Sequence, residues 1–230
     1  MKKTLILILL LLIINFLYFG YIAYEKAKVE DSYTVSLEIK DDFDKGISDL
    51  RKKYNNDDVI AILKIDDTSI PVVQTSDNKY YLNHTYDKSY NRYGATFMDY
   101  RVNLDTSTKI LIFSHSISSR DMPFEIITNY SDKSYFDEHK YIYLITEKEA
   151  RSYEVFSVYV ETNDFDYMNM DIRKDEMLEH YQKLKNNSFY DTGVEISEQD
   201  DIIILQTCSE SSEYKNYKVK YFLLIAKRIK

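Results

Sequence analysis

The chain has 230 residues, with 38 acidic against 30 basic side chains and a formal net charge of −8. The imbalance deepens beyond the first 28 residues, which hold four lysines and one glutamate; the remainder has 26 basic and 37 acidic residues, a net of −11. That sign argues against nucleic acid or anionic lipid as the main partner and is compatible with a partner bearing amines.

The stretch "MKKTLILILLLLIINFLYFGYIAY" sets two lysines before an apolar run from Leu5 to Ala23, with Asn15 as its one strongly polar member. About 20 apolar residues span a bilayer as a helix. A cleaved secretory signal has a shorter apolar core, about 7–15 residues, and ends at a small-residue site; "FGYIAYEK" offers none. Tyr18, Tyr21 and Tyr24 suit a membrane interface. The expectation is a transmembrane signal anchor over residues 1–25, single-pass in the cell membrane, with the carboxy-terminal part extracellular.

Residues 26–56 are polar and charged, with Leu37, Phe43, Ile47 and Leu50 near helical spacing. No Pro/Gly/Ser-rich linker follows, so the spacing predicts a helical lead-in packed on the domain. Residues 57–230 then form one domain long enough for a sizeable core.

Strand-like segments dominate it. "VIAILKI" (59–65) and "SIPVVQ" (69–74) flank a turn-like "DDT". "GATFMDY" (94–100) reads as a short strand, and "KILIFSHS" (109–116) as an apolar one ending near His115. "YIYLIT" and "SYEVFSVYVET" form a hairpin around "EKEAR"; "DIIILQTC" and "VKYFLLIAKRI" are the last two strands. Apolar runs without clean alternation indicate strands covered on both faces, as in a closed barrel. Two segments depart from this pattern. Residues 122–139 read as a helix with an irregular end. Residues 171–187 read as a clear helix, with Met177, Leu178, Tyr181 and Leu184 as its apolar stripe and Asp171 as its cap.

Cys208 is the only cysteine, so no internal disulfide forms, and a lone extracellular thiol is either buried or functional. His84, His115, His139 and His180 show no ligand spacing such as H-E-x-x-H, and no metal or other cofactor is expected. A thiol attacks as thiolate, and a nearby imidazole or cation favours that form. Cys208 and His115 each end an apolar strand of similar length; on adjacent strands they would meet at one rim. Composition alone leaves the plainer reading open, because free cysteine is among the most buried residue types.

The motifs go further. "ILQTC" resembles the Thr-Leu-x-Thr-Cys signature of the sortases, cysteine transpeptidases of Gram-positive cell surfaces. "IPVVQTSDNKYYLNHTYD" and "GATFMDYR" resemble segments that mark class B, and the helix at 171–187 is similar to the extra helix of that class. The resemblance covers roughly residues 35–230. It implies a mainly β fold, an eight-stranded barrel with flanking helices. It also implies a mechanism: Cys208 attacks the Thr–Asn or Thr–Gly bond of a sorting signal like Asn-Pro-x-Thr-Asn/Gly, and His115 protonates the leaving amine. Thr207, Ser114 and Glu210 would help position substrate, and Leu205 would pack inside the barrel. The implied partners are a surface protein carrying that signal and an amine acceptor, from peptidoglycan or from another protein.

The sequence also departs from the family. Ile204 stands where Thr is usual, and Ser114 and Ser116 flank His115 where Gly and Asn are common. Sortases carry an arginine on the last strand; no arginine lies between Cys208 and Arg228. Counting back from "IAKRI" puts Tyr221 at that place, with Lys218 and Lys220 beside it, while Arg101 or Arg120 would be replacements from elsewhere. A tyrosine donates one hydrogen bond, and a lysine brings charge without the planar fork. The alternatives to a transpeptidase are a purely hydrolytic cysteine peptidase, which shares the thioacyl intermediate, and a non-catalytic scaffold on a degenerate sortase fold.

Overall fold

The computed structural model describes residues 11–21, 43–116 and 122–229, and the chain divides into two parts after Asp41. In the first part, residues 11–21 are helical with exposed apolar side chains, Leu11, Leu12, Ile13, Ile14 and Phe16 among them. Among the described residues no helix is long and apolar enough to cross a membrane. The rest of the expected 1–25 anchor lies outside the described residues, as do residues 26–42 of the lead-in.

The second part opens with helix α1 (Phe43–Tyr54). Ile47 is fully buried, and Leu50 and Tyr54 pack against the same cluster, one stripe at helical spacing. Arg51 on the same helix donates from Nε to the Val59 carbonyl at 2.7 Å and pairs with Glu147. Eight strands follow: β1 (Val59–Ile65), β2 (Thr68–Val73), β3 (Phe97–Met98), β4 (Lys109–Phe113), β5 (Tyr141–Thr146), β6 (Ala150–Glu161), β7 (Ile202–Cys208) and β8 (Tyr221–Arg228). They close into a barrel in the order β1-β2-β3-β4-β7-β8-β6-β5, with β5 returning to β1. Pairs β2–β3 and β4–β7 are parallel and the rest antiparallel.

Both strand faces are covered, as the unalternated apolar runs predicted. One cluster takes residues from all eight strands, including Leu63, Val72, Met98, Ile112, Leu144, Val155, Leu205 and Leu224, and is the barrel interior. A second takes the alternate positions, Leu111, Phe113, Ile202, Ile204, Leu223 and Ile225, and is sealed from outside by α1 and by Tyr181 and Leu184 of the later helix. Ile202 to Leu205 are all fully buried; each such side chain contributes about 1.5–3 kcal/mol.

Three expectations need correction. The strand at 94–100 shrinks to Phe97–Met98, because Ala95 N is diverted to the Tyr81 carbonyl and Asp99 turns its buried carboxylate onto Arg101. Residues 122–139 break into helix α2 (Glu125–Thr128), a 3₁₀ turn and helix α3 (Lys133–Glu138), where Asp132 caps Ser134 N. The helix predicted from Asp171 is α4 (Met177–Asn186), and Asp171 caps nothing there: the Asp171 amide is taken by Asn169 Oδ1 at 3.0 Å, ahead of the helical turns.

Gly94 has φ of +59°, and a Cβ there would meet the Tyr81 carbonyl at 2.1 Å and the Leu82 carbonyl at 2.7 Å. Both obstacles are backbone and cannot rotate away. Gly94→Ala is expected to destabilise the fold by more than about 1 kcal/mol, read by chemical denaturation; an unchanged midpoint would mean that this turn relaxes freely.

Candidate active site

Strand periodicity places the site. On β7, Leu205 belongs to the interior cluster, so Gln206 and Cys208 fall on the outer face. On β4, Leu111 and Phe113 are outer, which carries His115 to the same side. The parallel β4–β7 register pairs Phe113 with Gln206, and Ser114 N donates to the Gln206 carbonyl at 3.1 Å. Extending that register by two residues sets His115 beside Cys208. In the antiparallel β7–β8 ladder, Cys208 pairs directly with Tyr221. All three residues thus share one rim, and they line one cleft of about 340 Å³ with Asn78, Leu82, Phe97, Phe113 and Met168.

Cys208 is exposed at that rim, yet the surrounding walls shield its sulfur. Burial first, and then the Glu210 carboxylate, push the thiol above its ordinary range, while Lys220 pulls it back. The free site therefore holds a neutral thiol near pH 7. His115 Nε2 lies 3.3 Å from the Leu82 carbonyl. A carbonyl only accepts, so Nε2 carries the proton and Nδ1 the lone pair of the neutral ring. Burial and the adjacent Cys208 push the Tyr221 phenol up as well, so it stays a donor at neutral pH.

The other predicted residues fall into two groups. Ser114 lines the cleft with its hydroxyl 2.8 Å from that of Thr96, and Thr207 lines it with a buried Oγ1 that has no hydrogen-bond partner among the described residues. Glu210 does not line the cleft but a second cavity of about 390 Å³, shared with Glu125 and Glu213. Lys220 is half-buried and acts on the thiol through its charge. Lys218 is exposed and is not among the residues lining the cleft. Arg101 is committed to Asp99 and the Met168 carbonyl; Arg120 lies outside the described residues. Among the described residues no cluster suited to a metal ion occurs. Sequence reading missed Phe113 and Gln206, which period-two counting from His115 and Cys208 finds, and Asn78, Leu82 and Met168, which come from a loop and from the 3₁₀ turns Tyr80–Leu82 and Asp166–Met168, too short to show a periodicity.

If Glu210 raises the thiol, Glu210→Gln lowers its pKa. Iodoacetamide labelling of Cys208 at fixed neutral pH should then quicken, and the rate midpoint should move to lower pH; an unmoved midpoint would leave burial as the whole cause.

A barrel presenting a thiol, an imidazole and a phenol around one peptide-sized cleft is a cysteine acyl-transfer scaffold. A family model for the sortase domain matches residues 60–223. Sortase B of Listeria monocytogenes is 34% identical over 187 residues, 79% of this chain and 72% of that protein. The solved sortase B from Listeria monocytogenes covers 77% of this chain and 98% of its own, with TM-score 0.67 and 29% identity. A Staphylococcus aureus sortase B–substrate complex shares the fold, with TM-score 0.72 at 23% identity over 88% of this chain and 98% of its own. The chain belongs to the sortase family, and to class B within it. It carries that family's eight-stranded barrel and, with it, the cysteine transpeptidase framework.

Proposed function

We propose that the protein is a membrane-anchored class B sortase whose cleft takes a sorting signal like Asn-Pro-x-Thr-Asn/Gly. Cys208 Sγ attacks the carbonyl carbon of the threonine. Its proton passes to His115, which delivers it to the leaving amine as the peptide bond breaks and the thioester forms. An acceptor amine then attacks the thioester, His115 takes the proton from that amine, and the thiol returns as the new amide is released. The strand register that sets His115, Cys208 and Tyr221 at one rim carries this reading. That the Staphylococcus aureus relative of this fold is solved as a sortase B–substrate complex supports substrate binding by this chain.

The carboxylates of Glu125, Glu210 and Glu213 in the second cavity would draw in a cationic amine, which sheds one proton to solvent before it attacks as the neutral acceptor, and so favour an amine over water alone. The decisive experiment is a sorting-peptide library with and without triglycine or diaminopimelate. A transpeptidase shifts the product from acid to amide, a hydrolase yields acid in both, and a scaffold yields neither. Anchoring rests on the Leu5–Ala23 run and on the exposed apolar helix at 11–21; recovery of the full chain in the soluble fraction of its cells would overturn it.

A further inference from the structure

The turn between β6 and α4 supplies Met168 to the wall of the Cys208 cleft, and four side chains hold it there. Tyr167 Oη donates to Gln206 Oε1 at 2.7 Å. Arg101 Nη2 donates to the Met168 carbonyl at 3.2 Å, and Lys109 Nζ to the Asn169 carbonyl at 2.7 Å. His180 Nδ1 lies 3.1 Å from Asp166 Oδ2, and its Nε2 lies 3.2 Å from Lys109 Nζ. Lys109 and His180 are 5% and 6% exposed, which puts this contact among the most enclosed polar pairs in the barrel unit.

The tautomer follows from the partners. The Asp166 carboxylate only accepts, so Nδ1 carries the proton, and Nε2 takes a hydrogen bond from Lys109 through its lone pair. The ring is neutral in this arrangement. A second proton, on Nε2, would point at the lysine nitrogen. Lys109 itself is costly: it opens an apolar strand, where methionine or leucine would pack without desolvating an amine. Its contacts are a carbonyl and an imidazole on the turn and on α4, so what it adds is position.

We propose that Lys109 and His180, with Arg101, are positioning residues for the sorting-peptide cleft, fixing residues 166–169 and through them Met168, and that protonation of His180 loosens this wall. The proposal rests on the reading of the cleft given above. The charged groups facing His180 are Lys109 from β4, Asp166 from the turn and Lys183 from its own helix; Lys183 also pairs with Asp164 at 2.5 Å. The Asp99–Arg101 pair lies behind Lys109. Burial, then Lys109, push His180 below its ordinary 6.5, with Asp166 opposing; burial pushes Lys109 down to about 7. Lys109 takes up its proton near 7 but donates to Nε2 as amine or ammonium alike, so the step that loosens the clamp is protonation of His180, as pH falls below 6.5 toward the folded value.

The test uses the full-length chain in detergent, with two readouts. Hydrogen exchange over residues 162–171, corrected for intrinsic rates, should be slow at neutral pH and at least about fivefold faster in acid. Lys109→Met should exchange fast at both pH values and raise KM for a sorting peptide about five- to tenfold with kcat within about twofold. His180→Gln, which keeps an uncharged partner for Lys109, should retain neutral-pH protection and lose the acid response. Lys133→Ala, in an exposed ion pair on α3, should change neither. Exchange that ignores pH in the wild type, or a KM within about twofold for Lys109→Met, overturns the clamp. So does a rise in KM matched by an equal fall in kcat and a lowered melting temperature, which marks a merely structural lysine. A wild type that cleaves no sorting peptide sinks the reading of the cleft, while the exchange arm still decides the clamp.

Discussion

Cys208→Ala is expected to bring cleavage of a sorting peptide below detection, with no thioester adduct in the mass spectrum, and His115→Ala to lower kcat by about 10²–10⁴. The two losses differ in kind. Without Sγ no acyl-enzyme forms. Without the imidazole the thiol remains, but burial and Glu210 hold it in its neutral form near pH 7. The proton then has no carrier to the leaving amine. Iodoacetamide separates the two roles. His115→Ala should still be labelled at Cys208, with a rate that climbs as pH approaches the raised thiol pKa, while its peptide turnover stays low because amine protonation is also lost. Equal turnover in His115→Ala and wild type would remove His115 from the mechanism and return the site to a lone thiol.

How much of this site was legible depends on what carries each residue. Cys208 and His115 sit at the ends of strands whose period is two, so once Leu205 is placed inside the barrel, the outward face of Cys208 follows. Parallel pairing of "KILIF" with "IIILQ" then sets the imidazole beside the thiol. The barrel was legible for a related reason: runs such as Ile202–Leu205 cannot be exposed on either face. The misses lie where tertiary hydrogen bonds override local pattern. Asp171 has a good cap residue's chemistry, but Asn169 takes its amide and Lys109 takes the Asn169 carbonyl, so helix α4 starts six residues later. Leu82 and Met168 end the short 3₁₀ turns Tyr80–Leu82 and Asp166–Met168, the first tied to the chain by Ala95 N on the Tyr81 carbonyl and the second by the Arg101 and Lys109 side chains on the Met168 and Asn169 carbonyls. No periodicity encodes such contacts.

Tyr221→Phe is the second large expected effect, a loss of about 10²–10³ in kcat/KM. Three of the candidates for the missing arginine lie on or just before the last strand, and their placement differs. Tyr221 pairs with Cys208 across β7–β8 and lines the cleft; Lys218 is exposed and does not line it; Lys220 acts on the thiol by charge. The Tyr221 ring meets Phe165 edge-on at 5.9 Å between centroids, so phenylalanine keeps the packing and removes only the hydroxyl. With its pKa pushed up, that hydroxyl stays protonated at neutral pH; as an oxyanion donor it would offer one hydrogen bond, without the charge or the fork of a guanidinium. The loss should therefore fall mainly on kcat, because the bond strengthens as charge develops on the oxygen. Lys218→Ala should change nothing, and Lys220→Ala should raise the thiol pKa through loss of its cation. If Tyr221→Phe keeps wild-type kcat while Lys220→Ala loses it, the oxyanion donor is the ammonium, and the tyrosine is only a wall of the cleft.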